Sequence, residues 1–484
     1  MPRAEGRRGR RRAVPCAAVV ALSVLVHWQV YTIPYLYTEI PGIQHNRVVR
    51  DLDVFASRML GPRGLVARPL SVLSYALGWA LHGDRPWAFH LTNVAIHGVN
   101  TVLVFLLADG FFRAPLVASL VFALHPLATA CVSQVFGRNY SLASTFMLLG
   151  LLLHLRWRRD GTLGRGQVAC LAVLGTLAVL SKQTLIVFPL VVLWWEVRAT
   201  RWAALASRRA ALLAAAFVAV AAGLVRFYAL PLSATSPISP ASFALSQLGS
   251  AAPIARLYVW PYSTAFVHDL WFYDDVWHPE VAVGALLVGT LAAGAWRWRV
   301  QPAGWLLGAL LICLLPTNSV LPKNEVVREW RLYPSLAFFA LLVAEAVAAA
   351  AAWLARRPGG PRAAWLPYVA AAAYLAAYAH ADFRQDRIYQ SETAAWEQVL
   401  ARYPHSADAM NNLGLQHLRR GHLATARRYF EMAADAAPDV YVYRENLARV
   451  CAALHEPDVA ERYAVEAEEI RQRYGARTMS LHHR

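Results

Sequence analysis

Long apolar blocks, separated by short loops that carry arginine, run through the first 380 residues. No other feature limits the fold as strongly. Apolar stretches lie at about 14–37, 88–108, 114–134, 139–156, 167–181, 183–196, 210–230, 280–296, 303–320, 333–355 and 363–380. A hydrocarbon core needs roughly 20 apolar residues per helix, and inside it every backbone amide must be satisfied within the segment. The blocks therefore predict an all-α polytopic membrane bundle of about eleven spans. Composition agrees, with 57% hydrophobic and only 16% charged residues, where a soluble domain carries about 25% charged. A soluble enzyme, a disordered chain and a secreted cystine scaffold are excluded. The five cysteines stand singly, with no CxxC pair, so neither a zinc site nor a disulfide framework is expected.

The formal charge of +17 first suggests nucleic acid. Its distribution points elsewhere, and no nucleic-acid partner is expected. Residues 1–12 are arginine-rich, and the apolar stretch that follows is longer than the roughly 7–15 residues of a signal-peptide core, so it reads as a retained first span. With the N-terminus cytoplasmic, the inner loops are 109–113, 157–166, 197–209, 297–302 and 356–362, and each carries arginine, as the positive-inside rule requires. The outer segments, 38–87, the turns after His125 and at Ser181–Lys182, 231–279 and 321–331, then hold nine of the fourteen carboxylates of residues 13–380 and both lysines, Lys182 and Lys323. Chemistry, if present, faces outward. The expected location is the inner (cytoplasmic) membrane, multi-pass, with a periplasmic C-terminal domain.

After Ala381 the composition becomes that of a soluble domain. Residues 407–440 fit one 34-residue tetratricopeptide repeat, with Leu413-Gly414, Gly421, Ala426, Phe430, Ala433 and Pro438 in register. Pro404 lies 34 residues before Pro438, and a third unit from about Tyr441 keeps Leu447, Ala460 and Ala467. The expected organisation is a basic N-terminus (1–12), a multispan domain (13–380) with short helices in its first outer loop (38–87), and an α-solenoid of repeats (381–484). A repeat groove suits a protein or peptide partner; a scaffold or cap without a ligand is the alternative.

Several words of this chain, in order and on one predicted side, are TEIPGIQHN (38–46), RPLSVLSYALGWALHG (68–83), FHLTN (89–93), HPLATACV (125–132), GR (137–138), LSKQ (180–183), WP (260–261) with Asp269, LLPTNSVLP (314–322) and EWRLYPSLAF (329–338). In these the chain resembles the class C membrane glycosyltransferases, in particular the transmembrane-and-TPR O-mannosyltransferase type and its bacterial relatives. The resemblance implies a GT-C bundle that moves a sugar, mannose in the named type, from a polyprenyl-phosphate donor to a protein or glycan acceptor on the outer face. The donor is a substrate, and no cofactor is assigned. A metal is not assigned either, although Asp269, Asp274 and Asp275 share the large outer loop.

Such a reaction needs a carboxylate to take the acceptor proton and cations to hold the leaving phosphate. Glu39, at the outer end of the first span, matches the second of two acids that the resemblance implies there and is the candidate base; its alternative is a solvated carboxylate at a helix end. Lys182 is one of two lysines in a chain that otherwise uses arginine, and it is set between two apolar spans, where an unpaired ammonium is costly. It is the leading phosphate ligand. Arg331 and Arg138 are further phosphate candidates, Arg331 by a bidentate hold and Arg138 against the alternative of a snorkelling arginine. Arg68, His125, Asp269, Glu329 and Tyr333 are supporting candidates. His90, Asn93 and His97 share a helix face by spacing and read as a hydrogen-bonded intrabundle face. Four neutral residues, Thr38, Ala130, Tyr140 and Gln183, stand where the resemblance implies acids. They favour the alternative of a catalytically degenerate relative that serves as a membrane-anchored repeat scaffold.

Overall fold

The computed structural model describes residues 2–60, 68–200, 238–318, 322–323, 325–358 and 360–474. Its described elements are helical, apart from one isolated antiparallel bridge, His268 with Val327. Proline sets many helix starts. Pro69, Pro86, Pro115, Pro240, Pro279 and Pro302 each occupy the first helical position, where the missing N–H has no intrahelical partner to lose.

Pro86–Phe111, Pro279–Arg297 and Glu329–Ala355 are long and apolar enough to cross a membrane. Pro115–Leu124 and Pro126–Val132 would make a fourth span, bent by 51°. The chain is a membrane protein. Among the described residues these are three spans, or four with the bent pair, by length and composition. Ala13–Val26, Arg165–Ser181, Gln183–Glu196 and Pro302–Leu314 are apolar but shorter, and the expected span at 210–230 lies outside the described residues. The apolar run read at 114–134 does not stay a single helix. The chain breaks at His125-Pro126 and again at Lys182, where the backbone turns extended with φ −154° and ψ 117°.

The core lies among Pro86–Phe111, Pro115–Leu124, Arg138–Arg159, Pro302–Leu314 and Tyr333–Ala355, around fully buried Phe122, Leu148, Trp305, Tyr333 and Phe338. Trp305 stacks on Phe112 with ring centroids 5.9 Å apart and is met edge-on by Trp195. Within a bilayer such rings stabilise the bundle by close packing and not by removal from water. Pro279–Arg297 instead leaves Val283, Leu286 and Val288 exposed, the pattern of a lipid-facing surface.

Beyond Ser391 the helices Glu392–Arg402, Ala407–Arg419, Leu423–Ala436, Tyr441–Ala453 and Pro457–Tyr474 pack each on the next. Ser391 and Ser406 cap the first two by accepting the N–H of Ala394 and Ala409. Gly414 is required by packing, since a Cβ there would lie 2.5 Å from the Phe430 ring. Gly421 makes the turn between helices at φ +76°, a conformation that costs only glycine nothing.

Helix Leu366–Tyr389 carries the chain into these helices and anchors them. Its Asp382 and Asp386 are fully buried against His27, at the end of the first helix. Farther out, Trp396 packs edge-on against Tyr37 and Phe266, both at 5.2 Å. The C-terminal helices therefore sit on the loops that carry Tyr37 and Phe266.

Candidate active site

A cavity of about 310 Å³ opens where the loop after the first helix, the Lys182 break and the segment before Tyr333–Ala355 meet. Glu39, Arg68, Lys182, Lys323, Glu325 and Arg331 supply its charge, together with Arg328.

Glu39 follows a tight turn in which Tyr37 adopts φ +44°, a region that non-glycine residues rarely enter. Its carboxylate accepts the N–H of Leu36 at 2.9 Å and the N–H of Val135. Burial pushes this carboxyl up to about 8, against the pull of those amides and of Arg138. The group thus combines a fixed orientation with raised basicity.

Arg68 precedes Pro69, which disfavours the right-handed helical region for it, and it takes φ +62°. Its Nε donates to Gln183 Oε1 at 3.4 Å. Lys182 ends helix Arg165–Ser181, and its Nζ lies 4.5 Å from the centre of the Tyr140 ring. Burial holds its ammonium well below the ordinary lysine range, and Arg68, Lys323 and Arg331 add repulsion. Lys323 is drawn down to about 7 by burial and by Arg331 and Arg68. Glu325 is gripped by two guanidinium nitrogens of Arg328, Nη2 and Nε, the latter at 2.5 Å, and by Arg331 Nη2 at 3.3 Å. Arg331 also donates to the Glu325 carbonyl at 3.0 Å. These cations hold the Glu325 carboxyl below its usual range despite its burial.

Four of the candidates read from sequence, Glu39, Arg68, Lys182 and Arg331, therefore share one cavity. The others lie outside its lining. Arg138 is fully buried and donates to Asn93 Oδ1 at 2.8 Å, Phe89 O at 2.7 Å and Ser74 O at 3.2 Å, with its guanidinium over the Tyr75 ring. It ties three helices together and is not a snorkelling residue. His125 receives the Leu127 N–H on Nδ1 and donates from Nε2 to Tyr258 O at 2.9 Å, so it stabilises the helix break. Glu329 accepts the Ala265 N–H and pairs with His268 Nε2, both at 2.7 Å. Tyr333 meets His97 Nδ1 at 2.7 Å inside the bundle, where Asn93 also bonds the carbonyls of Val132 and Gln134. Asp269 does not line the cavity.

Two charged lining residues escaped the sequence reading as site candidates: Glu325 and Arg328. No motif marks the acid or the arginine. Lys323 carried the same signal as Lys182, being the second of two lysines.

His27, Asp382 and Asp386 offer ligand atoms within 4.8 Å of one another and could hold a metal ion. The two imidazole nitrogens, however, face different carboxylates, Nε2 to Asp382 at 3.2 Å and Nδ1 to Asp386 at 3.3 Å. Thr129 and Ser133 donate to the remaining carboxylate oxygens. A histidine that engages a carboxylate through each nitrogen is an ion-paired bridge between helices.

Comparison with known proteins adds local similarities in sequence. Over 94 residues the chain is 40% identical to the human protein O-mannosyl-transferase TMTC2, and over 141 residues 38% identical to the Drosophila melanogaster Tmtc2 protein. The chain is a sequence relative of the TMTC-type O-mannosyl-transferases. A Caenorhabditis elegans O-mannosyl-transferase, F38B6.6, shares 24% identity over 190 residues. The matches take in 18%, 27% and 36% of this chain and span 11%, 15% and 27% of the TMTC-type relatives' own length. No family model matches the chain. Among solved structures, ArnT from Cupriavidus metallidurans is similar in its apo state at 14% identity and a TM-score of 0.44, with 81% of this chain and 80% of that one covered. The same protein bound to undecaprenyl phosphate gives 14% and 0.42, with 82% and 80% covered.

Proposed function

We propose that this protein is a membrane glycosyltransferase that moves a sugar from a polyprenyl-phosphate donor to a protein or glycan acceptor at the outer face of the membrane. One observation carries the reading: a carboxyl of raised basicity, Glu39, lines the same cavity as Arg68, Lys182 and Arg331. Glu39 takes the proton of the acceptor hydroxyl as that oxygen attacks the anomeric carbon. The bond from the anomeric carbon to the phosphate oxygen breaks, and the phosphate leaves with the electron pair. Lys182 and Arg331 stabilise the charge that develops on it, so no strong acid is needed. Glu325 is the poorer base, because two guanidiniums hold its carboxylate. Its role is to orient Arg331.

The kinship to O-mannosyl-transferases makes mannose the first sugar to test. We read the C-terminal helices as tetratricopeptide repeats that bring a protein partner to the cavity, and place them on the periplasmic or lumenal side with the N-terminus cytoplasmic.

The experiment is transfer by the purified chain from a panel of polyprenyl-phosphate sugars, beside Glu39→Gln. Turnover by the unaltered chain and a loss of at least about 100-fold in the variant are expected for a general base. Equal rates would remove Glu39 from the mechanism. No turnover with any donor would favour a membrane-anchored scaffold, the reading to which neutral Thr38, Tyr140 and Gln183 point.

A further inference from the structure

The first of the C-terminal helices, Glu392–Arg402, contributes no lining residue to the cavity, yet it packs on two segments that do. Trp396 is 2% exposed, and its ring meets Tyr37 and Phe266 edge-on, each with centroids 5.2 Å apart. Both partners line the cavity, and Tyr37 stands two residues before Glu39. The same apolar cluster joins Ile33 and Leu36 of this loop to Val399 and Leu413 of the C-terminal helices. Leu36 supplies one of the two amides that hold the Glu39 carboxylate.

Polar contacts tie the same helix to the other walls. Arg402 donates to the carbonyls of Ser263, Tyr262 and Thr264, the last two at 2.8 Å and 3.1 Å. Gln398 Oε1 accepts the Phe266 N–H at 3.2 Å. Just past the helix, the Tyr403 hydroxyl meets His268 Nδ1 at 3.0 Å, and His268 Nε2 pairs with Glu329, two residues before Arg331.

Tyr37 is the weak point of this arrangement. Its φ of +44° is one that a tyrosine keeps only where the surroundings over-determine it. Trp396 and Phe266, packed on its ring, supply that constraint. Relaxation of Tyr37 to an ordinary backbone region would re-aim Glu39, because a dihedral change turns the chain that follows it. We propose that Trp396 is a positioning residue: through Tyr37 it fixes the turn that presents Glu39, so the C-terminal helices belong to the catalytic apparatus. What Glu39 does there rests on the transferase reading above; the fixing of the turn rests on the packing alone.

The test uses the full chain in detergent micelles. Hydrogen exchange is followed in peptides that cover the Leu36 and Val135 amides, both donors to Glu39. In Trp396→Ala these amides should exchange about tenfold faster. Trp396→Phe, which keeps a ring against Tyr37, should restore most of the protection. Should the alanine variant fail to fold, Trp396→Leu replaces it, with the same change expected at about threefold. Val450→Ala, in the core of the last helices, controls for general loosening and should leave both amides protected. In transfer from the donor panel, Trp396→Ala should lower kcat by about 10-fold to 100-fold through misplacement of the base, with little change in KM for the donor. Unchanged exchange in the Trp396 variants, equal loosening in Val450→Ala, or faster exchange with an unaltered kcat overturns the positioning role. Faster exchange in a protein that transfers from no donor keeps Trp396 as the clamp of this turn and overturns the transferase reading instead.

Discussion

Replacing His27 with alanine tests the joint that holds the C-terminal helices against the membrane bundle. His27, Asp382 and Asp386 are all buried to within 1% of full enclosure, and the only cation facing the two carboxylates among the described residues is the imidazole between them. Its removal strands two carboxylates four residues apart on one helix, with only the hydroxyls of Thr129 and Ser133 to bind them. Loss of one partner from a buried ion pair costs about 3–5 kcal/mol, because the remaining charge has no compensation. At about 2–4 °C per kcal/mol for domains of 150–250 residues, the unfolding midpoint should fall by roughly 6–20 °C. Intrinsic tryptophan fluorescence of the detergent-purified protein reads this directly. Asp382→Asn placed on top of His27→Ala removes one stranded charge and should recover part of the loss, a coupling that a double-mutant cycle isolates. A fall below about 2 °C would refute the ion-pair reasoning. So would a comparable fall when chelator is added to the unaltered protein, because the three residues would then be ligands of a bound metal.

The remaining predictions concern the cavity. Transfer should follow a bell-shaped pH dependence: kcat/KM rises as Glu39, raised to about 8, loses its proton, and falls as Lys323, lowered to about 7, gives up its charge. Because the acid titrates above the lysine, the productive ionisation state is a minority form, and the optimum lies between those values; Lys323→Arg should extend activity to higher pH, and an unchanged profile in that variant would remove Lys323 from the donor site. Lys182→Ala should cut kcat by about tenfold to a hundredfold, as expected when a charge-assisted bond of about 1.5–3 kcal/mol is lost from the transition state; a change confined to KM would mean that Lys182 binds donor and transition state equally. Gly137→Ala should destabilise the protein and lower activity together, since the new Cβ would lie 2.3 Å from the Ala130 carbonyl oxygen and 2.4 Å from Cys131 Cα, beside the Val135 amide that orients Glu39. A variant of wild-type stability would show that this backbone can yield.

Sequence alone determined the parts that depend on composition and local periodicity. Apolar blocks between arginine loops gave a helical membrane protein, because a bilayer admits few other solutions. Scarcity marked Lys182, since a lysine kept between apolar spans in an arginine-rich chain needs a reason. Tertiary structure decided what depends on direction and distance. Arg138 and Glu329 carry the same charges as Arg331 and Glu325, and no local pattern separates them. Arg138 is spent on three carbonyl-type oxygens inside the bundle, and Glu329 on His268 and a backbone amide, while Arg331 and Glu325 face the cavity. The apolar run 114–134 does not record the extended bend at His125, whereas the break at Lys182 falls at the turn that the sequence places at Ser181–Lys182. Those breaks are held by contacts from distant helices, among them His125 with Tyr258 and Ser71 with Ser181, and the second of them brings Lys182 to the cavity.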